Sequence, residues 1–297
     1  MRVVRQHEWM AHLAEPNPLP TGEGFWLRAG PIELLCQAWG HPAAVKAAEA
    51  AARRIFPAIL PKLCAELPHL RTALPTPPPH GPIARAMHAA VTPYAADFVT
   101  PMAAVAGAVA DHVLAAMTAV APLEKAFVNN GGDIAFHLAP GQSLRCGLVT
   151  QLHAPTLDGA FLLHAGSPSR GIATSGRACK GRGGKSFSLG IADAVTVLAR
   201  TAAAADAAAT VIANAVDLPG HAAIDRRPAY AIDPDSDLGA RLVTWGVLAL
   251  SRADIAEALD AGRVVAEALR RAGLIDGAVL ALQGHLTTCL DPLLEAA

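Results

Sequence analysis

The sequence predicts an α+β fold: mixed, mainly antiparallel sheets covered by Ala-rich helices. Three observations carry this. From Lys125 the apolar period changes to two, and "KAFVNNGGDIAFHL", "SLRCGLVTQL" and "GAFLLHA" read as three successive strands. The segments His41 to Phe56 and Thr201 to Val216 are so rich in Ala that helix is their preferred state. Strands mostly follow one another, with helices before and between, a pattern that favours an antiparallel sheet system with helices on a face.

The elements follow in order. Residues 1–24 are polar and Pro-containing and read as an N-terminal arm. "GFWLRAGPIELLCQAWG" gives two short strands about a turn at Gly30-Pro31. The helix from His41 carries Pro42 near its first turn, and Pro57 and Pro61 bend or restart it. "LPTPPPHGP", residues 74–82, reads as a stiff, extended linker inside a single domain. A helical pattern runs from Ile83 to Ala96 and a second from Met102 to Ala119, entered through Thr100-Pro101 as cap and first helical residue. After the three strands comes a Gly-rich basic stretch, then the strand "DAVTVLAR" and the Ala-rich helix. "RLVTWGVLAL" is a strand, Ser251 with Asp254 caps a long helix, and "DGAVLALQGHL" closes the chain as a strand.

Composition narrows the function classes. A chain of 297 residues can bury a substantial core, and with 53% apolar but only 4% aromatic residues that core depends on closely approaching Ala-rich helices. These helices suit either a homodimer contact or packing within one chain. A net charge of −1 provides no field to attract nucleic acid or an anionic membrane. The five Cys include no C-x-x-C pair and read as free thiols in a reducing compartment. The first twenty residues lack the apolar core of a signal peptide, and no window reaches about 18 uninterrupted apolar residues, so a cytoplasmic protein without a membrane span is expected.

Three constellations carry chemistry. The first is Asn129, Asn130, Gly131, Gly132 and Asp133. Asn130-Gly131 alone would make a hairpin turn. The second Asn, second Gly and Asp exceed that need, and successive Gly residues also bare main chain to a ligand. The second is "ATSGRACKGRGGKSFS", which is either a solvated loop or a phosphate wrap. It is not a P-loop, because the leading Gly falls on Cys179 and a strand follows instead of a helix. Thr174, Ser175 and Gly176, at a strand end, are its candidate ligand-facing part. The third is Asp206 with Thr210, four apart on one face of the Ala-rich helix. A carboxylate and a hydroxyl there suit a hard cation such as Mg²⁺, although an Asp near a helix start is also favoured by the dipole. The twelve His show no metal spacing, G-x-S-x-G is absent, and "IDPDSDLG" reads as an acidic turn.

Taken in order, these pieces resemble the flavin transferase (ApbE-like) family, most closely its short uncharacterised branch. Carrying the resemblance are Asn130-Gly131-Gly132-Asp133, Ala173-Thr174-Ser175-Gly176, Val195-Thr196-Val197, and Ala205-Asp206 with Thr210. The resemblance implies a T-fold-like architecture, bound FAD (or FMN) and Mg²⁺ near the pyrophosphate. It implies transfer of FMN from FAD to a Ser or Thr hydroxyl of an acceptor protein, with release of AMP. It gives Asp206 and Thr210 to the metal, joined by the main-chain carbonyl of Val105, and sets Asn129 to Asp133, Thr174 to Gly176, Ser186 and Ser188 around the flavin nucleotide. The chain departs from the pattern at Ala106, where the family has Lys, and at Met102 and Ala103, where it has a Gly pair. The family's H-x-x-D-P-x-T-G segment is replaced by "KSFSLGIADAV". The alternative reading is therefore a flavin- or nucleotide-binding module of a reductase system without transferase activity.

Overall fold

The computed structural model describes residues 24–150, 159–177 and 187–290. The predicted N-terminal arm lies outside these residues except for Gly24, and so does Ser186.

Strands β1 (Gly24–Ala29) and β2 (Ile32–Trp39) form a hairpin whose turn uses Gly30 at φ 54°. Helix α1 (Pro42–Ile55) begins with Pro42 in its first turn, and the His41 ring accepts the Ala43 amide. Its buried face is Ala48, Ala51 and Ala52, which packs mainly against the later helix Val105–Thr118. Pro57 falls in a 3₁₀ turn, after which the chain restarts as α2 (Ile59–Ala65) and α3 (Leu67–Leu70). The Pro-rich stretch is tied down where it meets α4 (Pro82–Val91): the Glu66 carboxylate accepts the amides of His80 and Gly81 at 2.6 and 2.8 Å.

Helix α5 (Val105–Thr118) follows a 3₁₀ turn at Pro101–Ala104. Thr100 precedes that turn as expected, but its hydroxyl does not cap; it donates to Asp237 across the molecule at 2.6 Å. The segment Pro101–Thr118, at mean hydropathy 1.3, could pass for a membrane span by composition. Half of it is buried in the fold, against α1, the sheet and the Ala-rich helix described next.

The period-two region gives β3 (Lys125–Asn130), β4 (Asp133–Leu138), β5 (Ser143–Leu148) and β6 (Gly159–His164). Then come β7 (Gly171–Ser175), β8 (Ala194–Ala199) and α6 (Ala202–Ala215). A ribbon of β9 (Ile224–Pro228) and β10 (Leu242–Val247) surrounds the short α7 (Ala229–Ile232). Its first strand was not foreseen, since "IDRRP" has neither alternation nor β-formers beyond Ile224. The Ser251–Asp254 capping box opens α8 (Arg252–Arg271). The predicted closing strand is a hairpin, β11 (Gly277–Leu282) and β12 (His285–Cys289), because Gln283 and Gly284 both take positive φ.

Eight strands form one sheet in the order β1-β2-β3-β4-β7-β8-β11-β12, and every recorded pairing is antiparallel. Strand alternation sends Ala126, Val128, Ala135, Ala173, Val195 and Val197 to one face, under the helices, where the main core lies. Phe136, Ile172 and Leu198 point to the other face and pack with Leu148, Phe161 and Leu163 of the β5–β6 hairpin. The four described cysteines carry free thiols.

Candidate functional site

The site is built where α5 and α6 cross the end of the sheet. Gly107 and Gly171 set the distance. A Cβ on Gly107 would stand 2.2 Å from the Ala202 carbonyl oxygen, and one on Gly171 would stand 2.2 Å from the Ala202 nitrogen. The first turn of α6 is thus held between bare backbone of α5 and β7. This closeness lets each helix cap the other. Asp111 of α5 accepts the α6 amides of Ala202 and Ala203 at 3.0 and 2.9 Å. Asp206 of α6 accepts the α5 amide of Gly107 at 3.1 Å, with the Ala106 amide adding to it. N-terminal helix amides have no intrahelical partner, so the two carboxylates satisfy groups that burial would otherwise strand. Asp206 therefore does serve a helix N-terminus, but that of its neighbour. Asp111→Ala is expected to cost about 2 kcal/mol in urea denaturation, with Asp111→Asn losing less because one acceptor remains.

Asp133 approaches the same place from the sheet. Asn130 and Asp133 are cross-strand partners, so both side chains leave on the helix face. The β4–β7 ladder is short, pairing Ile134 with Ile172 and Ala135 with Gly171. Asp133 takes up the Thr174 amide beyond it at 3.2 Å. Asn130 donates to the Ala106 carbonyl at 3.1 Å. Burial raises the Asp133 carboxyl to about 7, and burial followed by the Asp133 charge raises Asp206 well above the ordinary range. Among the described residues, neither carboxylate has an ion pair with Lys, Arg or His.

A cavity of about 630 Å³ opens beside this pair. Val105, Asn130, Ser175, Thr210 and Asn214 line its polar part, and side chains such as Leu63, Leu67, Phe98 and Met102 line its apolar part. Sequence reasoning missed Asn214, whose Oδ1 fixes the Leu189 amide at 3.0 Å, and Asp237 of the acidic turn, which lines the cavity while accepting from Thr100. Arg71 is the cation on this wall. No signal along the chain marked them, since each reaches the cavity through a contact distant in sequence.

The predicted residues do not share one place: two cavities take most of them, and Asp133 and Asp206 line neither. Asn130, Ser175, Thr210 and Val105 share the large cavity. Asn129, Gly131, Gly132 and Thr174 line a smaller one, about 200 Å³, on the hairpin face of the sheet. The Gly132 amide is not bare to a ligand; it donates to Asn129 Oδ1 at 2.8 Å. Ser188 is buried and lines neither cavity wall, whereas its neighbours Phe187 and Leu189 line the larger. Gly176, at φ 132°, is held against the Asp193 carbonyl, where a Cβ would sit 2.4 Å away.

The donors near Asp206 are two carboxylates, a hydroxyl and backbone and amide oxygens, without thiolate or imidazole. That is the chemistry of a hard cation. Among the described residues no group of three or more His, Cys, Asp or Glu forms a complete metal cage. The donor set fits a cation that keeps waters and takes its remaining ligands from a bound phosphate, as Mg²⁺ does.

A family profile described as AbpE bacteria matches residues 17–288. The UPF0280 protein of Methanoculleus marisnigri is 35% identical over 230 residues, covering 76% of this chain and 88% of the relative. The UPF0280 protein of Methanospirillum hungatei is 32% identical over 148 residues, and the match spans 50% of this chain and 58% of that relative's length. The crystal structure of Pseudomonas stutzeri flavinyl transferase ApbE in its apo form superposes at TM-score 0.46 and 12% identity, covering 90% of this chain and 93% of the other.

Proposed function

Because the chain belongs to the family described as AbpE bacteria, as its ordered motifs led one to expect, we propose that it binds a flavin dinucleotide together with Mg²⁺ and acts on the phosphoanhydride. One observation supports this above the others. Two carboxylates whose charges repel, Asp133 and Asp206, have no ion-pair partner among the described residues, and their chain neighbours Asn130 and Thr210 line a cavity large enough for a nucleotide. Like charges in a low-dielectric place are unfavourable unless a proton or a cation joins them.

On this reading Asp206 and Thr210 hold the cation, with the Val105 carbonyl next to it. Bound Mg²⁺ would neutralise charge on the diphosphate. The chain's own contribution is positioning. Gly107 and Asp111 lock α6 so that Thr210 lines the cavity one turn after Asp206, and the bond from Asn130 to the Ala106 carbonyl fixes the Asn130 side chain in the same wall. The apolar wall takes the ring system and excludes water. FMN would pass to a Ser or Thr hydroxyl of an acceptor protein in the cytoplasm, with AMP released.

Ala106 favours a second reading. At the position where the resembling family has Lys, this chain has a methyl group and no cation. A module that holds FAD without cleaving it would need none. Purified protein mixed with FAD and Mg²⁺ separates the two. Binding at ligand 100-fold above Kd is expected to add about 2.7 kcal/mol of stability, seen as a thermal shift that EDTA abolishes. Release of AMP identifies the transferase, and a bound yellow chromophore without AMP identifies the module. No shift with FAD or FMN, with or without Mg²⁺, would exclude both.

A further inference from the structure

The smaller cavity is not used by the reading above, yet it ends at the same edge of the sheet as the larger one. Asn130 and Ser175, the last residues of β3 and β7, line the large cavity. Their chain neighbours Asn129 and Thr174 line the small one. Adjacent residues of a strand point to opposite faces, so the two cavities lie back to back across these strand ends.

Among the described residues nothing crowds the edge between them: Gly131 and Gly132 form the turn, at φ 65° and 111°, and a Cβ placed on either would meet none of those residues within 4 Å. Gly107, Gly171 and Gly176, by contrast, each have backbone within 2.4 Å of such a Cβ. Close packing therefore accounts for those three and does not account for the pair at the turn. What the turn leaves, between one face of the sheet and the other, is two successive positions without a side chain, with the Gly132 amide held by Asn129.

The small cavity has the character of a ring site. Ile134, Phe161 and Ile172 supply apolar walls, while the Thr174 and Thr196 hydroxyls, 2.9 Å apart, supply a donor and an acceptor for a base edge. At about 200 Å³ it is smaller than the ~300–1,000 Å³ pockets that enclose whole drug-sized ligands. It has room for one base and not for a complete nucleotide.

We infer that the small cavity is a second ring-binding subsite, so that a dinucleotide lies across the β3–β4 turn with its purine on the hairpin face and its larger ring on the helix face. This rests on the flavin dinucleotide reading. It adds that affinity for FAD, with two ring systems, depends on both faces of the sheet, whereas FMN, with the flavin ring system alone, uses only the helix face.

The test is equilibrium binding of FAD and of FMN, each with Mg²⁺, to the full chain and to Cys146→Phe. Cys146 lines the small cavity and packs with its apolar wall, so the added ring fills the subsite. FAD affinity is expected to fall about tenfold or more while FMN affinity stays within about twofold. Unchanged FAD affinity, or an equal loss for both ligands in a folded variant, overturns the subsite. Should Cys146→Phe not fold, Thr196→Val keeps the shape and removes one hydroxyl, with an expected FAD-only loss of about threefold or more; no change, or equal loss for FMN, again overturns it. A wild-type chain that binds neither ligand removes the dinucleotide reading itself, whereas one that binds FAD no tighter than FMN removes only the subsite.

Discussion

Gly107→Ala is expected to destabilise the protein by about 3 kcal/mol or more, or to prevent its folding. The new methyl carbon would stand 2.2 Å from the Ala202 oxygen, 2.4 Å from the Ala202 carbon and 2.7 Å from the Ala203 nitrogen. All three are backbone atoms in the first turn of α6, so no rotamer change can relieve the clash. The remaining escape is to part the helices, and that breaks the bonds from Ala202 and Ala203 to Asp111 and from Gly107 to Asp206. The expected gain in helix propensity on replacing Gly by Ala, about 1 kcal/mol, is smaller than this cost and of opposite sign. Urea denaturation measures the outcome. A variant within about 1 kcal/mol of the parent would mean that α5 and α6 can separate freely, and the mutual capping would then not hold the site together.

Asp206→Asn should change two properties in opposite directions. Asn keeps an acceptor for the Gly107 amide but removes a charge opposite Asp133. Without metal, stability at pH 8 is therefore expected to rise by about 2 kcal/mol, while the Mg²⁺-dependent shift with FAD and any AMP release fall to background. The pH dependence follows from burial. The Asp133 carboxyl, ordinarily near 3.8, is raised to about 7, so between those values the folded chain holds a proton that the unfolded chain has lost. The folded state binds more protons there, so this contribution to stability falls as pH rises through the window and is lowest above it. Asp206, raised by burial and then by Asp133, acts in the same sense. In EDTA, melting temperature plotted against pH should decline across that window for the parent and less steeply for Asp206→Asn, which keeps the share that burial of Asp133 contributes. If Mg²⁺ with FAD stabilises the variant as much as the parent, Asp206 is not a metal ligand.

Much of the architecture was legible along the chain because it depends on local rules. The change of apolar period at Lys125, the Ala content of α6, Pro42 at the start of α1 and the Ser251–Asp254 capping box each act within a few residues. Even the division of Asn129 from Asn130 accords with strand alternation, which sends successive side chains to opposite faces of the sheet. The ribbon strand β9 was hidden because its sequence carries no alternation, and its partner β10 comes after α7. The final hairpin was hidden because its turn uses Gln283 at φ 45°, an uncommon conformation for a residue with a side chain.

By itself the sequence determined most of the segments that are helix and strand, and that Asp206 and Thr210 share a face. Dihedral preference and side-chain periodicity extend only over a turn or a strand, so they settle such questions and no others. Only the tertiary structure decided that the Asp133 charge reaches Asp206, that Asp111 serves the opposite helix, and that Asp237 and Asn214 reach the cavity. Those contacts join residues tens of positions apart. They depend on how closely two backbones approach, and here that distance is set by the missing side chains of Gly107 and Gly171.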